Sequence, residues 1–183
     1  DYAFGPDPER MATLAGTADA LTFTLGGISK LLGLPQMKLA WICVSGPVEQ
    51  VSDALARLEV VSDTYLSVNT PVQHALPRWR SLRREITGHI LRRVLANRQY
   101  LLDQVRQANV CQCLEAEGGW YAILRLPAGR AEEEFVIELL EHEGVLTHPG
   151  YFYDFEEGDH LVLSLLPPPP VFQEGMNRLL GKM

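Results

Sequence analysis

The sequence predicts an α/β protein in two pieces, and three observations carry that expectation. The stretch from Leu21 to Val44 reads as two apolar strands, Leu21 to Leu25 and Leu39 to Val44, joined by a glycine-rich loop. The longest helical pattern follows, from Arg78 to Asn109. Beyond it lie short strand patterns and two more helical ones, the texture of a small α+β unit. At 183 residues the chain can bury one or two real cores, and 46% hydrophobic with 21% charged residues is a globular composition. A net charge of −7 argues against a nucleic-acid surface across the whole chain. No apolar run reaches the roughly 18 residues of a membrane span. Three cysteines, with Cys111 and Cys113 two apart, read as reduced core thiols of a cytoplasmic protein. A Cys-x-Cys without further ligands at metal spacing is weak evidence for zinc, so no metal site is predicted.

Taken in order, Asp7-Pro8-Glu9-Arg10 predicts the Pro-led start of a short helix ending near Gly16. The Leu21 strand breaks at Gly26-Gly27. Gly46-Pro47 opens a helix whose Val48, Val51, Leu55 and Leu58 are spaced to face the core. Asn69-Thr70-Pro71 marks a break, Val72 to Leu76 turns into a helix, and Pro77 is expected to break it again. Along Arg78 to Asn109, Leu82, Ile86, Ile90 and Val94 form one stripe, with Leu91, Leu95, Leu102 and Val105 beside it. The arginines at 80, 83, 84, 92 and 93 read as a solvated face or ion pairs rather than a nucleic-acid patch. Val110 to Leu114 and Trp120 to Leu126 are strands around a Gly118-Gly119 turn. Glu132, Glu133 and Glu134 stand in the first turn of a helix, where its dipole favours carboxylates. Phe135, Val136, Leu139 and Leu140 are expected to bury one side of it, and Gly144 to end it. Val145 to His148 and Leu161 to Leu166 are the last strands, with an aromatic cluster of Tyr151, Phe152, Tyr153 and Phe155 between them. Pro167 to Pro170 reads as an extended lead-in to the final helix rather than a ligand for a partner domain.

Lys30 is the residue that points to chemistry. A lone lysine at the end of a strand is most simply a solvated loop residue. Here it stands in Gly27-Ile28-Ser29-Lys30, followed by Gly33-Leu34-Pro35-Gln36-Met37-Lys38-Leu39-Ala40-Trp41. This run resembles the cofactor-lysine segment of the class I/II aminotransferases, the fold type I pyridoxal-phosphate enzymes, whose pattern is S-x-S-K and then G-L-P-G-x-R-x-G-W. Aligned on Lys30 without a gap, Ser29, Gly33, Leu34, Pro35 and Trp41 match. Three positions depart: the first serine is Gly27, the phosphate-binding arginine is Lys38, and the glycine before Trp41 is Ala40. The resemblance implies that Lys30 is the catalytic residue, forming a Schiff base with pyridoxal 5'-phosphate and moving the substrate's alpha proton. It also implies that Ser29, Lys38 and the Gly27 position contact the cofactor phosphate. A free lysine amine, with a pKa of roughly 10.4, is a poor nucleophile at neutral pH; desolvation and nearby cations are what make such an amine reactive.

The likeness continues along the chain. Pro71-Val72-Gln73-His74-Ala75 resembles the family's P-x-Q-x-A turn, and the EGGWYAILRLP phrase its GG-aromatic strand. His148-Pro149-Gly150 is similar to its P-G turn beside the active site. In the last strand, aligned on Ser164, the family arginine that clamps the substrate carboxylate is Val162, which leaves the substrate-binding set unknown. Arg125 and His160 are the nearest cations in sequence. The family's pyridine-pairing aspartate, glycine-rich loop and stacking aromatic would fall before Asp1, so the expectation is the C-terminal half of a longer enzyme, inactive alone. Residues 1–77 would then be the remainder of a large cofactor-binding domain, and 78–183 a small C-terminal domain including a long interdomain helix. The function expected is a pyridoxal-phosphate-dependent aminotransferase acting on an amino acid and a keto acid, homodimeric when whole, with no nucleic-acid or membrane partner. The alternatives are another reaction of the same cofactor, such as a lyase or decarboxylase, and a non-catalytic aminotransferase-like sensor domain of a transcription regulator.

Overall fold

The computed structural model describes residues 2–11, 13–127, 129, 131–155 and 159–183. The chain divides into two compact units, one of Asp7–Thr87 and the other of Asp1–Pro6 with Gly88–Met183.

In the first unit, β1 (Thr22–Gly27) and β2 (Ala40–Ser45) pair antiparallel, in register from Thr22 opposite Ser45 to Gly27 opposite Ala40. Both strands read as buried in the sequence, yet Leu25 is 76% exposed and Phe23 and Ile42 47%. A two-stranded ribbon leaves apolar side chains on its faces without a covering layer. Between the strands come α1 (Ile28–Leu31) and a 3₁₀ turn, Pro35–Met37. α2 (Val48–Asp63) follows, and its inner face matches the predicted one only in part, since Val51 and Leu58 are half-buried as expected. Val48 is 85% and Leu55 51% exposed, and among the described residues of this helix Ala54 is the one that is buried. Ala54, Leu58 and Val61 turn toward Phe23 of β1 and line a groove with it.

α3 (Thr70–Ser81) starts as its sequence demands, with the Asn69 side-chain oxygen accepting from the Val72 N–H at 3.1 Å. Pro77, expected to end this helix, lies inside it. The ring removes one N–H, but Val72, Leu76 and Trp79 pack the helix onto the lysine loop and hold it through that defect. The real break is at Leu82, whose N–H bonds the Trp79 carbonyl at 3.0 Å before α4 (Arg83–Ala108) begins. The single helix predicted over Arg78 to Asn109 is therefore the end of α3 plus α4. The helix predicted from Asp7 does not form among the described residues. Instead the Asp7 carboxylate accepts from the Glu9 N–H at 2.9 Å, closing a local turn.

In the second unit, β3 (Gln112–Cys113), β4 (Tyr121–Arg125), β5 (His148–Pro149) and β6 (His160–Ser164) form an antiparallel sheet in the order β3-β4-β6-β5. α5 (Glu132–Glu138) passes into a π-helical turn, Leu139–Glu143, capped by Gly144 at φ 64°. Its Phe135 and Leu139 are buried as expected, while Leu140 is half-exposed. The chain ends in α6 (Pro169–Gly181), entered through Pro168 as the prolines predicted. Val94, Leu101 and Val105 of α4, with Phe135, Phe172, Met176 and Leu179, cover Leu124, Leu161 and Leu163 of the sheet. Asn97 sits on the buried side of α4, and its amide donates to the Leu165 carbonyl at 3.0 Å and the Pro167 carbonyl at 2.8 Å. Near the amino end, Ala3 bridges to Gly118, and the Gly119 N–H reaches the Tyr2 carbonyl at 2.9 Å. A Cβ on Gly118 would lie 2.6 Å from that carbonyl oxygen, so glycine there permits this pairing as well as the turn.

Candidate functional site

β1 delivers the chain in extended form through Gly27 into α1. The Ile28 N–H donates to the Leu39 carbonyl at 3.1 Å, which joins the two ends of the segment 28–39. Inside that closure, the N–H groups of Leu32 and Leu34 both reach the Ile28 carbonyl, at 3.0 and 3.3 Å. Gly33, at φ 64°, makes the left-handed step that turns the chain away from α1. Lys38 makes a second such step, at φ 51° and ψ 45°, and its N–H caps the 3₁₀ turn on the Pro35 carbonyl. For a residue with a Cβ this conformation costs about 1–2 kcal/mol. The burial of Ile28, Leu32 and Leu39 against Val72 holds the loop in that shape.

The apolar side chains Ile28, Leu32 and Leu39 are thus spent on anchoring. Ser29 is half-buried, while Lys30 and Lys38 are exposed. Arg80 and Arg83 line a cavity of about 360 Å3 with Leu31, Leu32 and Trp41 in the same unit. An amine, a hydroxyl and a second ammonium on one closed loop form a donor set that fits pyridoxal phosphate. The amine suits an aldehyde, and the other two suit a phosphate dianion. Two of the three departures from the family pattern prove to be neighbours, because Gly27 and Ala40 face each other across the ribbon. A Cβ on Gly27 would sit 3.2 Å from the Leu39 carbonyl oxygen and 3.4 Å from the Ala40 Cβ. The side chain absent from one strand is present on the other. One pair earlier, a Cβ on Gly26 would fall inside the Trp41 indole, so that glycine lets the ring lie across the ribbon.

Val162 belongs to the other unit. It is 5% exposed, with Ile123 and His148 opposite it on the neighbouring strands. Arg125 and His160 form the adjacent cross-strand pair. Alternation along β4 and β6 puts both on the Val162 face. Arg125 is exposed, whereas His160 is buried with its ring stacked on Phe155 at 4.6 Å. Of the two cations that the sequence offered in place of the missing arginine, Arg125 is the accessible one.

Sequence reasoning missed Glu132. Its carboxylate accepts from the Tyr151 N–H at 2.8 Å and the His160 N–H at 2.7 Å, tying the turn after β5 to the start of β6. Gly150 leaves room for it, since a Cβ there would lie 3.0 Å from the carboxylate. The residue was visible only as one of three glutamates in a first turn. In the aromatic cluster, His148 Nδ1 and the Tyr153 hydroxyl are 2.8 Å apart. Partial desolvation and the Glu133 carboxylate raise the Tyr151 phenol above its ordinary pKa.

Comparison with known proteins bears on the family and the fold. The chain is 26% identical over 167 residues to the glutamate-pyruvate aminotransferase AlaA of Haemophilus influenzae, covering 88% of this chain and 41% of that protein. It is 27% identical over 168 residues to the alanine aminotransferase of Mycobacterium bovis, covering 88% and 39%. It therefore spans about two-fifths of the length of these curated relatives. A solved aminotransferase from Escherichia coli superposes with a TM-score of 0.81 at 19% identity, over 98% of this chain and 46% of that one. The alanine aminotransferase of Pyrococcus furiosus gives 0.75 at 21% identity, over 91% and 43%. These structures share the expected α/β fold. The profile of the family described as aminotransferase class I and II matches residues 1–161, and the chain belongs to that family.

Proposed function

We propose that the protein containing this chain is a pyridoxal-phosphate-dependent aminotransferase with Lys30 as its catalytic lysine. The observation that supports this reading is the closed loop 28–39, anchored by Ile28, Leu32 and Leu39, which carries Ser29, Lys30 and Lys38 in its sequence. When bound, the cofactor supplies an aldehyde that an amine can engage and a conjugated ring that takes up electrons from the substrate's alpha carbon. Lys30 Nζ holds the cofactor and then carries the proton at that carbon. The Ser29 hydroxyl and Lys38 ammonium bind the phosphate, Lys38 as a point charge where the family arginine would make a planar fork. The names of the relatives support an amino acid and a keto acid of the alanine, glutamate and pyruvate kind as substrates. The reading extends to a homodimer acting in the cytoplasm. Among the described residues no helix is long and apolar enough to cross a membrane. Borohydride reduction of the protein purified with pyridoxal phosphate, followed by peptide mapping, is expected to place the phosphopyridoxyl group on Lys30. Its appearance on Lys38 or another lysine overturns the assignment.

A further inference from the structure

The cavity of about 360 Å3 in the unit of Asp7–Thr87 is left unused by the proposed reaction, since Ser29, Lys30 and Lys38 are not among the residues that line it. It lies between α1, β2 and α3, with Arg83 at the start of α4. Ile28 and Leu32, 0% and 3% exposed, give it apolar walls together with Leu31 and Leu76, and the Trp41 indole adds an aromatic one. That volume is at the lower end of the range of small-molecule sites, which are mostly apolar with a few placed polar groups.

The polar side chains that line it define the ligand's charge. They are Trp41, Arg80 and Arg83, and each can donate hydrogen bonds while none can accept one. Both arginines are exposed, so a solute from water can reach them. The Arg80 guanidinium has no hydrogen-bond or ion-pair partner among the described residues. Elsewhere in the chain Arg57, Arg106 and Arg178 each pair with an acidic residue one helical turn away. Two cations three residues apart at the edge of an apolar hollow repel each other, and an anion between them relieves that repulsion.

We propose that this cavity binds a small monocarboxylate with an apolar, preferably aromatic body. The body lies against Trp41, Leu31 and Leu76, and the carboxylate takes the Arg80 guanidinium, whose fork of N–H groups matches it. A neutral apolar molecule would leave that charge unmatched. A polyanion such as nucleic acid is disfavoured by the net charge of −7. A polypeptide segment would set unpaired N–H and C=O groups against apolar walls, which is unfavourable.

Phenylacetate is the probe, and phenylacetamide, with the same body and no charge, is the control. Titrated into the isotope-labelled protein, phenylacetate is expected to shift the Trp41 indole N–H and the Leu32 and Leu76 amide resonances saturably. Phenylacetamide should bind about three- to tenfold more weakly, the range of one accessible charged contact. Arg80→Gln should weaken phenylacetate by the same factor and leave phenylacetamide unchanged. Because Arg80 is exposed, this substitution spares the cluster of Ile28, Leu32, Leu39 and Val72. The proposal fails if no saturable shift appears at these residues, or if Arg80→Gln binds phenylacetate as tightly as wild type. It also fails if pyridoxal phosphate displaces phenylacetate, which would make the cavity part of the cofactor site. Dissociation of a dimer by phenylacetate in sedimentation overturns it too, because the cavity would then be a contact between copies.

Discussion

At the scale of single residues, small changes in chemistry have separable consequences. Burial, and then the neighbouring Cys113 thiol, push the Cys111 pKa from about 9 up to about 11. The folded chain therefore holds this proton more tightly than the unfolded chain does. Its contribution to stability is complete below pH 9 and disappears as pH rises through about 11. Urea midpoints should accordingly fall more steeply between these limits for wild type than for Cys111→Ser. Equal slopes would show that the thiol is not protected by the fold. Val162 poses a different question, since a valine cannot make the planar two-bond contact with a carboxylate that arginine makes. Such a contact in a desolvated site is worth roughly 2–5 kcal/mol, or about 30- to 5000-fold in rate or affinity. Under the proposed function, Val162→Arg in the whole enzyme is expected to raise kcat/KM for common amino acids at least about 30-fold. An already efficient enzyme left unchanged by it would show that another group holds the carboxylate.

At the scale of elements, what could be read from the sequence depended on whether local chemistry decided the outcome. The Lys30 loop was legible because its glycines, proline and flanking strands are each needed where they stand. Gly33 takes a left-handed step, Pro35 opens the 3₁₀ turn, and Leu39 closes the loop on Ile28. The proline-led entry into α6 was legible for the same reason, through Pro168. The inner face of α2 was legible only in part. Apolar spacing offered Val48, Val51, Leu55 and Leu58, and tertiary packing selected the face through Val51, Ala54 and Leu58. Pro77 marks the same limit, because a proline's local penalty says nothing about the packing of Leu76 and Trp79 that offsets it. The pairing of Gly27 with Ala40 was hidden for a third reason. In the sequence they are two separate departures, and only strand register makes them one.

At the scale of the whole chain, the two units differ in how much they bury. The sheet unit has a large core, including Val94, Leu101, Leu124, Phe135, Leu161, Leu165 and Leu179. In the lysine-bearing unit the buried cluster is Ile28, Leu32, Leu39 and Val72, and the ribbon beside it keeps Phe23, Leu25 and Ile42 substantially exposed. Burial of apolar area is the main favourable term in folding, so local opening should be far easier in the second case. Amides of β1, β2 and α2 should therefore exchange with solvent well before those of β4 and β6 in the 183-residue chain. Adding pyridoxal phosphate to the chain offers a second reading of the same experiment. A ligand that binds the folded loop stabilises it by mass action, so bound cofactor should slow exchange across 28–39 while leaving β4 and β6 unchanged. Uniform exchange across both units would contradict the uneven burial. Slowing confined to the sheet unit would place the phosphate contacts away from Ser29 and Lys38.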